Sequence, residues 1–192
     1  MMKVAILDSG VHADHPHVGG IAGGVAIVGD DLVDRLGHGT AVAGAIREKA
    51  PESRIYAVKV FDRRLSASLE TIFRALEWCV ENEMDVVNMS IGVRREIGGV
   101  SGLPLIVTVP GVLPDAIAVR ADENCPRDVY RFRDGIFYAS PYPRPIPGVP
   151  PERNLNGTSF AVANMSGFAA RLARAPRETM RSELIARAAN NP

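Results

Sequence analysis

The sequence lacks any long apolar run, which excludes one class of protein. A membrane-spanning helix needs about 18 to 20 consecutive apolar residues, but the first apolar run, Val4 to Leu7, ends in an aspartate. The same run is too short for the core of a secretory signal, and no small-residue cleavage site follows it. We therefore expect a chain without a signal peptide that acts in the cytoplasm and not at a membrane.

The chain also lacks an excess of charge and any cluster of cysteines. Its 22 basic and 22 acidic side chains cancel, so no overall field would draw it onto nucleic acid. Cys79 and Cys125 stand alone, outside any metal-binding spacing, and are expected to be reduced thiols. No glycine-rich phosphate-binding motif follows a predicted strand, which excludes a nucleotide-binding domain. We expect no cofactor.

Short strand-like runs alternate with helical patterns over most of the chain. This alternation predicts an α/β fold with a mostly parallel sheet that is covered by helices on both faces. The segment 122–153 is rich in proline and is predicted to be irregular, apart from one short strand at 135–140. The predicted strands are 3–8, 54–62, 84–92, 103–109 and 115–121, and the predicted helices are 37–48, 68–82, one from 159 onward and one within 177–189.

Three polar residues stand where functional groups gather in parallel sheets, at strand ends and helix starts. Asp8 ends the first predicted strand, His38 lies in a glycine-rich turn before a helix, and Ser159 opens the late helix. Each has a structural interpretation: Asp8 as a turn residue, His38 as a hydrogen-bonding histidine, and Thr158 or Ser159 as an N-cap. Together they are a nucleophile, a base and an orienting carboxylate, in one of the known chain orders.

The sequences that flank these residues resemble three signature segments of the subtilisin-like serine proteases. The segments are DSG at 8–10, GHGTAVAG at 37–44 and NGTSFAVANMSG at 156–167. The stretch 58–92 resembles a further part of that family, so the resemblance extends over nearly the whole chain. It implies a three-layer subtilisin-like fold. We expect a single minimal peptidase domain, residues 1–192, without the propeptide that secreted members of the family usually need.

The resemblance implies a serine endopeptidase that works through an acyl-enzyme. Ser159 would be the nucleophile, His38 the general base and Asp8 the carboxylate that orients the imidazole. A short chain favours narrow-specificity processing of one peptide or protein substrate. In the family a substrate lies as an added strand between two edges, and the corresponding substrate-binding residues here are Leu65, Ser66, Ala67, Ser90, Ile91 and Gly92.

One family feature is missing from the sequence. The family's oxyanion-hole asparagine would fall within residues 105–119, which contain no asparagine. Thr108, a backbone N–H near Gly111 and Asn124 are alternative donors. The absence leaves two alternatives to an independent enzyme: a peptidase whose site a partner protein completes, and a catalytically impaired domain that binds peptides or a partner. The retained triad favours the enzyme.

Three histidines near the N-terminus raise the question of a metal site. His17 stands where calcium-binding family members carry an aspartate, and an imidazole is a poor ligand for a hard cation. His12, His15 and His17 are a conceivable zinc set, but the resemblance assigns them to a turn. We expect no metal.

Overall fold

The computed structural model describes residues 1–90, 105–108, 116–172 and 177–189. Its strands are β1 (Lys3–Asp8), β2 (Gly23–Ala26), β3 (Arg54–Lys59), β4 (Val86–Met89), β5 (Leu105–Thr108), β6 (Ile117–Ala121), β7 (Tyr130–Arg133) and β8 (Ile136–Ala139). Its α-helices are α1 (His38–Lys49), α2 (Leu69–Glu81), α3 (Thr158–Ala170) and α4 (Met180–Ala186), and two short 3₁₀ turns are Pro151–Arg153 and Arg177–Thr179.

The described strands form one eight-stranded sheet in the order β2-β3-β1-β4-β5-β6-β8-β7. Every neighbouring pair is parallel except the β7–β8 hairpin. Near the middle, β1 pairs with both β3 and β4, so that Asp8 lies opposite Lys59 on one side. The carboxyl end of β1 is therefore flanked on both sides by strands that run the same way. This is the edge of a parallel sheet where functional groups collect.

Hydrophobic cores cover both faces of the sheet. Because successive side chains of a strand point to opposite faces, Val4 and Ile6 of β1 enter one core whereas Ala5 and Leu7 enter the other. The first core is shared with α1 and α3, and the second with α2. Within the described ranges, no helix is long and apolar enough to cross a bilayer. Helices therefore cover both faces of the sheet, as the sequence predicts, and this confirms the α/β fold class.

Two strands were not predicted, and both lie at the edges of the sheet. The edge strand β2 has the sequence Gly-Gly-Val-Ala, in which Val25 is the one β-branched residue and two of the four residues are glycines, which are depleted in strands. It contains glycine because a Cβ at Gly24 would overlap the carbonyl oxygen of Ala57 on β3. The other edge strand, β7, lies in the proline-rich segment that was predicted to be irregular, and this prediction was wrong for 130–133.

The helices agree more closely with their predictions. The Ser68 hydroxyl caps α2 by accepting a hydrogen bond from the Thr71 N–H at 3.1 Å, as its position before the helical pattern predicts. The terminal pattern predicted over 177–189 forms a 3₁₀ turn and then α4. The extent of a single domain over residues 1–192 stays a prediction.

Candidate active site

The carboxylate of Asp8 and the imidazole of His38 form a buried pair at the carboxyl end of β1. Asp8 is fully buried, and the His38 side chain is 17% exposed. His38 Nδ1 lies 2.8 Å from Asp8 Oδ1 and 2.9 Å from Oδ2. Because an ionised carboxylate can only accept hydrogen bonds, Nδ1 carries the proton, and the neutral ring keeps its lone pair on Nε2. The pair is arranged as a base with an oriented free nitrogen.

The surroundings of His38 stabilise its protonated form. Burial lowers the pKa of His38, but the hydrogen bond that His38 donates to Asp8, the charge of Asp8 and the charge of Asp34 outweigh it, so the pKa is raised above 6.5. A base in this setting gains stabilisation when it accepts a proton during a reaction.

Ser159 lies in the first turn of α3, and its hydroxyl does not cap the helix. The helix begins at Thr158, its N-cap is Gly157, and no side chain makes a capping hydrogen bond. Gly157 has a φ of 142°, in the region that favours glycine. The interpretation of Thr158 or Ser159 as an N-cap was therefore wrong. Over the described ranges the Ser159 hydroxyl makes no hydrogen bond, so no structural bond with these residues occupies it.

The two helices that carry His38 and Ser159 pack against each other. Each residue lies in the first turn of its helix, and the Phe160 ring, directly after Ser159, lies 5.5 Å from the His38 ring between centroids. The structure thus brings the base and the hydroxyl to adjoining helix starts.

Ser90 joins the end of β4 to the start of α3. Its hydroxyl lies 3.2 Å from the Ser159 carbonyl oxygen and 3.1 Å from Asn88 Oδ1. Asn88 is fully buried, and its side-chain amide donates to Ser166 Oγ of α3 at 2.9 Å. Of the six predicted substrate-binding residues, Ser90 is therefore directly linked to the backbone of Ser159.

The other predicted substrate-binding residues are not brought to the triad by a described contact. Leu65, Ser66 and Ala67 are exposed, outside any strand, and the Ser66 N–H donates to the Arg64 carbonyl oxygen. Ile91 and Gly92 lie outside the described residues. The roles of all five residues in substrate binding stay predictions.

Two of the three alternative oxyanion donors, Thr108 and Asn124, lie within the described residues. Thr108 ends β5, and Gly111 lies outside the described residues. Asn124 lies in an exposed turn after β6, where its N–H donates to Asp122 Oδ1. None has a described contact with Ser159.

The histidines near the N-terminus form a local turn. The His17 N–H donates to His15 Nδ1 at 3.2 Å, and their rings meet edge to face with centroids 5.1 Å apart. Over the described ranges no group of three His, Cys, Asp or Glu side chains is arranged to hold a metal ion.

Sequence reasoning missed one residue of this site, Asp34. Its carboxylate accepts hydrogen bonds from Ser9 Oγ and from the Thr40 N–H and hydroxyl, beside the Asp8–His38 pair. An aspartate shortly before a helix start is the signal that could have indicated it, because such residues often cap the first turn.

Gly39 sets how closely α1 approaches β1, and its replacement by alanine tests this contact. A Cβ there would overlap the Gly10 carbonyl oxygen and lie 3.1 Å from Asp8 Cβ. We expect Gly39→Ala to lower the free energy of unfolding by about 1–3 kcal/mol through overpacking, measured by urea denaturation. Gly44→Ala in the same helix is the control, because its nearest contact would be a side-chain atom, His17 Cβ, at 3.2 Å. Equal stability of the two variants would contradict this account.

Comparison with protein families identifies the class of this chain. The model of the subtilase family matches residues 1–109, which is more than half of the 192 residues. The chain therefore belongs to the subtilase family. Asp8 and His38 lie inside the matched range and Ser159 lies beyond it.

Individual relatives show the same family at moderate identity. The chain is 41% identical over 106 residues to the minor extracellular protease Epr of Bacillus subtilis (strain 168), covering 50% of this chain and 16% of that protein. It is 39% identical over 103 residues to subtilisin of Bacillus pumilus, covering 47% of this chain and 37% of that protein. The matches thus span well under half the length of these relatives.

Solved structures extend the likeness along the chain. The prenylagaramide maturation protease PagA matches with a TM-score of 0.66 and 26% identity, covering 94% of this chain and 81% of that one. A mutant of the protease domain of PatA matches with a TM-score of 0.64, covering 95% of this chain and 81% of that one; at 24% identity it shows likeness of fold alone.

Proposed function

We propose that this chain is a serine endopeptidase whose triad is Asp8, His38 and Ser159. The observation that carries the proposal is the buried Asp8–His38 pair, with both carboxylate oxygens within 2.9 Å of Nδ1, at a helix start that adjoins that of Ser159. Membership of the subtilase family supports the same chemistry.

The reaction proceeds by acyl transfer. His38 Nε2 takes the proton from the Ser159 hydroxyl as Oγ attacks the scissile carbonyl carbon, and the carbonyl oxygen becomes an oxyanion. The imidazolium then gives that proton to the leaving amine as the C–N bond breaks and an acyl-enzyme forms. A water molecule, deprotonated by His38, attacks the ester and releases the second product and the free hydroxyl of Ser159.

The first turn of α3 contributes to oxyanion stabilisation. Amide groups in the first turn of a helix have no partner within the helix, and the helix dipole is positive there. The Ser159 N–H donates from this position to the developing oxyanion. Loss of one further donor, such as the family's asparagine, typically costs about 10²–10³ in turnover, so we propose a slow enzyme or one whose site a partner completes.

The substrate proposed is a peptide or protein that is processed at few positions, in the cytoplasm. The likeness to PagA, which is named as a prenylagaramide maturation protease, supports the processing of a defined substrate. A second candidate function is peptide or partner binding without efficient cleavage. The segment 105–119, which contains no asparagine, favours that alternative.

Incubation with a complex peptide mixture tests the proposal, with new peptide N-termini counted by mass spectrometry. We expect new termini with the unsubstituted chain and none with Ser159→Ala. Ser182→Ala is the matched control, since Ser182 lies on α4 and its hydroxyl donates to the Thr179 carbonyl oxygen. If the unsubstituted chain and Ser159→Ala both bind peptides from the mixture and no new termini form, the result would favour the binding module instead.

A further inference from the structure

We propose that Asp34 is a positioning residue of the Asp8–His38 pair. Its carboxylate fixes the start of the helix that carries His38 and places a second negative charge near the imidazole. The inference deepens the proposed function and rests on it. Three observations carry it: the hydrogen bonds that converge on Asp34, the shared hydroxyl that links it to Asp8, and the anchoring of its loop to the sheet.

The Asp34 carboxylate accepts five hydrogen bonds from its surroundings. Oδ1 accepts from Ser9 Oγ at 2.8 Å and from the N–H groups of Leu36 at 3.0 Å and Gly37 at 2.8 Å. Oδ2 accepts from the Thr40 N–H at 2.8 Å and the Thr40 hydroxyl at 2.6 Å. A carboxylate with both oxygens bound in this way is fixed in position and orientation, because moving it breaks several charge-assisted bonds together.

These bonds cap the helix that begins with His38. The N-cap of α1 is Gly37, with a φ of 76° and no capping side chain of its own. Asp34 supplies the missing acceptor to the N–H groups of Gly37 and Thr40, on either side of His38, and Ser9 Oγ accepts from the Gly39 N–H at 3.1 Å. The backbone of His38 is therefore held between groups that Asp34 and Ser9 fix.

A single hydroxyl links the two carboxylates. Ser9 Oγ lies 2.8 Å from Asp34 Oδ1 and 3.1 Å from Asp8 Oδ1. The hydroxyl has one hydrogen, so it donates to one carboxylate at a time, and the shorter distance favours Asp34. Asp8 Oδ1 then depends on the Ser9 N–H at 2.8 Å and on His38 Nδ1 at 2.8 Å. When the Ser9 hydroxyl donates to Asp34, Asp8 Oδ1 has one donor fewer, and the hydrogen bond from His38 Nδ1 then provides a larger part of its stabilisation.

The loop that carries Asp34 is anchored to the sheet beside Asp8. Lys59, fully buried at the end of β3, pairs in register with Asp8. Its ammonium donates to the Val33 carbonyl oxygen at 2.9 Å and to Asp31 Oδ1 at 3.2 Å. A backbone atom next to Asp34 is thus tied to the strand that neighbours Asp8.

The charge of Asp34 acts on the same imidazole. The charged groups that shift the pKa of His38 are Asp8 from β1 and Asp34 from the loop, while α3 presents the uncharged Phe160 ring. Burial raises the pKa of Asp34, but hydrogen bonds from Thr40 and Ser9 outweigh it and hold that pKa below its ordinary value. Asp34 is therefore ionised at neutral pH and favours the imidazolium form of His38.

The direct test is the titration of the His38 imidazole by NMR, with the His38 signal assigned by its loss in His38→Gln. We expect Asp34→Asn, which keeps the shape and removes the charge, to lower the pKa of His38. Asp30→Asn is the matched control, because Asp30 is exposed in the same loop and makes no hydrogen bond or ion pair with another described residue. An unchanged His38 pKa in a folded Asp34→Asn variant would overturn the inference.

A second readout is the rate at which a fluorophosphonate labels the chain as a function of pH. Misplacement of a catalytic group by about 1 Å costs about 10²-fold, and we expect a loss of this order in Asp34→Asn. The rate should rise with pH as His38 loses its proton, and the midpoint should move to lower pH in Asp34→Asn. A merely structural defect would lower the rate without moving the midpoint, and that result would contradict the proposed charge effect.

One outcome distinguishes a failure of the proposed peptidase from a failure of the inference about Asp34, and a second variant covers the case in which Asp34→Asn does not fold. If the unsubstituted chain is never labelled but Asp34→Asn still lowers the His38 pKa, the action of Asp34 on His38 is supported and a peptidase that acts without a partner is contradicted. If Asp34→Asn does not fold, Ser9→Ala takes its place, because it removes the shared hydroxyl and only one side-chain oxygen. We expect Ser9→Ala to slow labelling by at least about tenfold, and an unchanged rate would overturn the positioning role.

Discussion

Replacing His38 with alanine is expected to lower the turnover of a peptide substrate by about 10⁶-fold. The magnitude is the one known for subtilisin, a relative in the same family, when its histidine is removed. The physical reason is that the Ser159 hydroxyl is a weak nucleophile unless a base accepts its proton. Turnover of a substrate found by the peptide-mixture experiment measures the effect.

The controls for His38→Ala use the other histidines and the nucleophile. His12→Ala should leave turnover unchanged, because His12 is exposed and its described hydrogen bonds use only its backbone N–H and its carbonyl oxygen. The double variant His38→Ala with Ser159→Ala should lose little more than either single variant, since residues that act as one unit are not additive. A loss smaller than about 10²-fold in His38→Ala would contradict the assignment of the base.

Replacing Asp8 with asparagine is expected to lower turnover by about 10⁴-fold with little change in shape. Asp8 holds the proton of His38 on Nδ1 by two short contacts, at 2.8 and 2.9 Å. An asparagine side chain also offers a donor, which favours the opposite tautomer and places a hydrogen on Nε2, where the base needs a lone pair. The measurement is turnover together with circular dichroism to establish that the variant folds.

The same variant changes how stability depends on pH. In the unsubstituted chain the pKa of His38 is raised above 6.5 because the hydrogen bond and charge of Asp8, aided by Asp34, outweigh burial. A raised folded-state pKa gives stability that is fully present below about pH 6.5 and is lost as pH rises through the folded-state value. We expect this part of the pH dependence of the free energy of unfolding to be reduced in Asp8→Asn. Equal slopes above pH 6.5 would contradict the contribution of Asp8.

The family and the meeting of Asp8 with His38 could be predicted from sequence because short, distinctive segments surround these residues. Three flanking segments in the right order indicate the family, and a parallel sheet brings strand ends and helix starts to one edge. The segment 156–167, taken alone, left both a cap and a nucleophile open at Ser159. Whether the hydroxyl caps the helix depends on the φ of Gly157 and the resulting helix start at Thr158, which are properties of the folded backbone.

Asp34 and the edge strands escaped prediction for a different reason. The position of Asp34 before a helix start indicates at most a cap of α1, whereas its contact with Ser9 joins the loop to the end of β1, and no local period or propensity predicts that contact. The edge strand β2 forms because Gly24 allows close approach to Ala57, so tertiary contact overrides its poor strand propensity. Hydrophobic periodicity in the sequence predicts elements that bury a regular face, but it does not predict elements that form through a single close contact.

The most direct test of the central claim is reaction of the intact chain with a fluorophosphonate, read by mass spectrometry after digestion. An unactivated serine does not react with such a reagent at a useful rate, so an adduct reports the nucleophile and its base together. We expect one adduct, on Ser159, which is absent from Ser159→Ala and strongly reduced in His38→Ala. An adduct on another serine would contradict an active site built from Asp8, His38 and Ser159, and no adduct on the folded chain would contradict an active site that is complete without a partner.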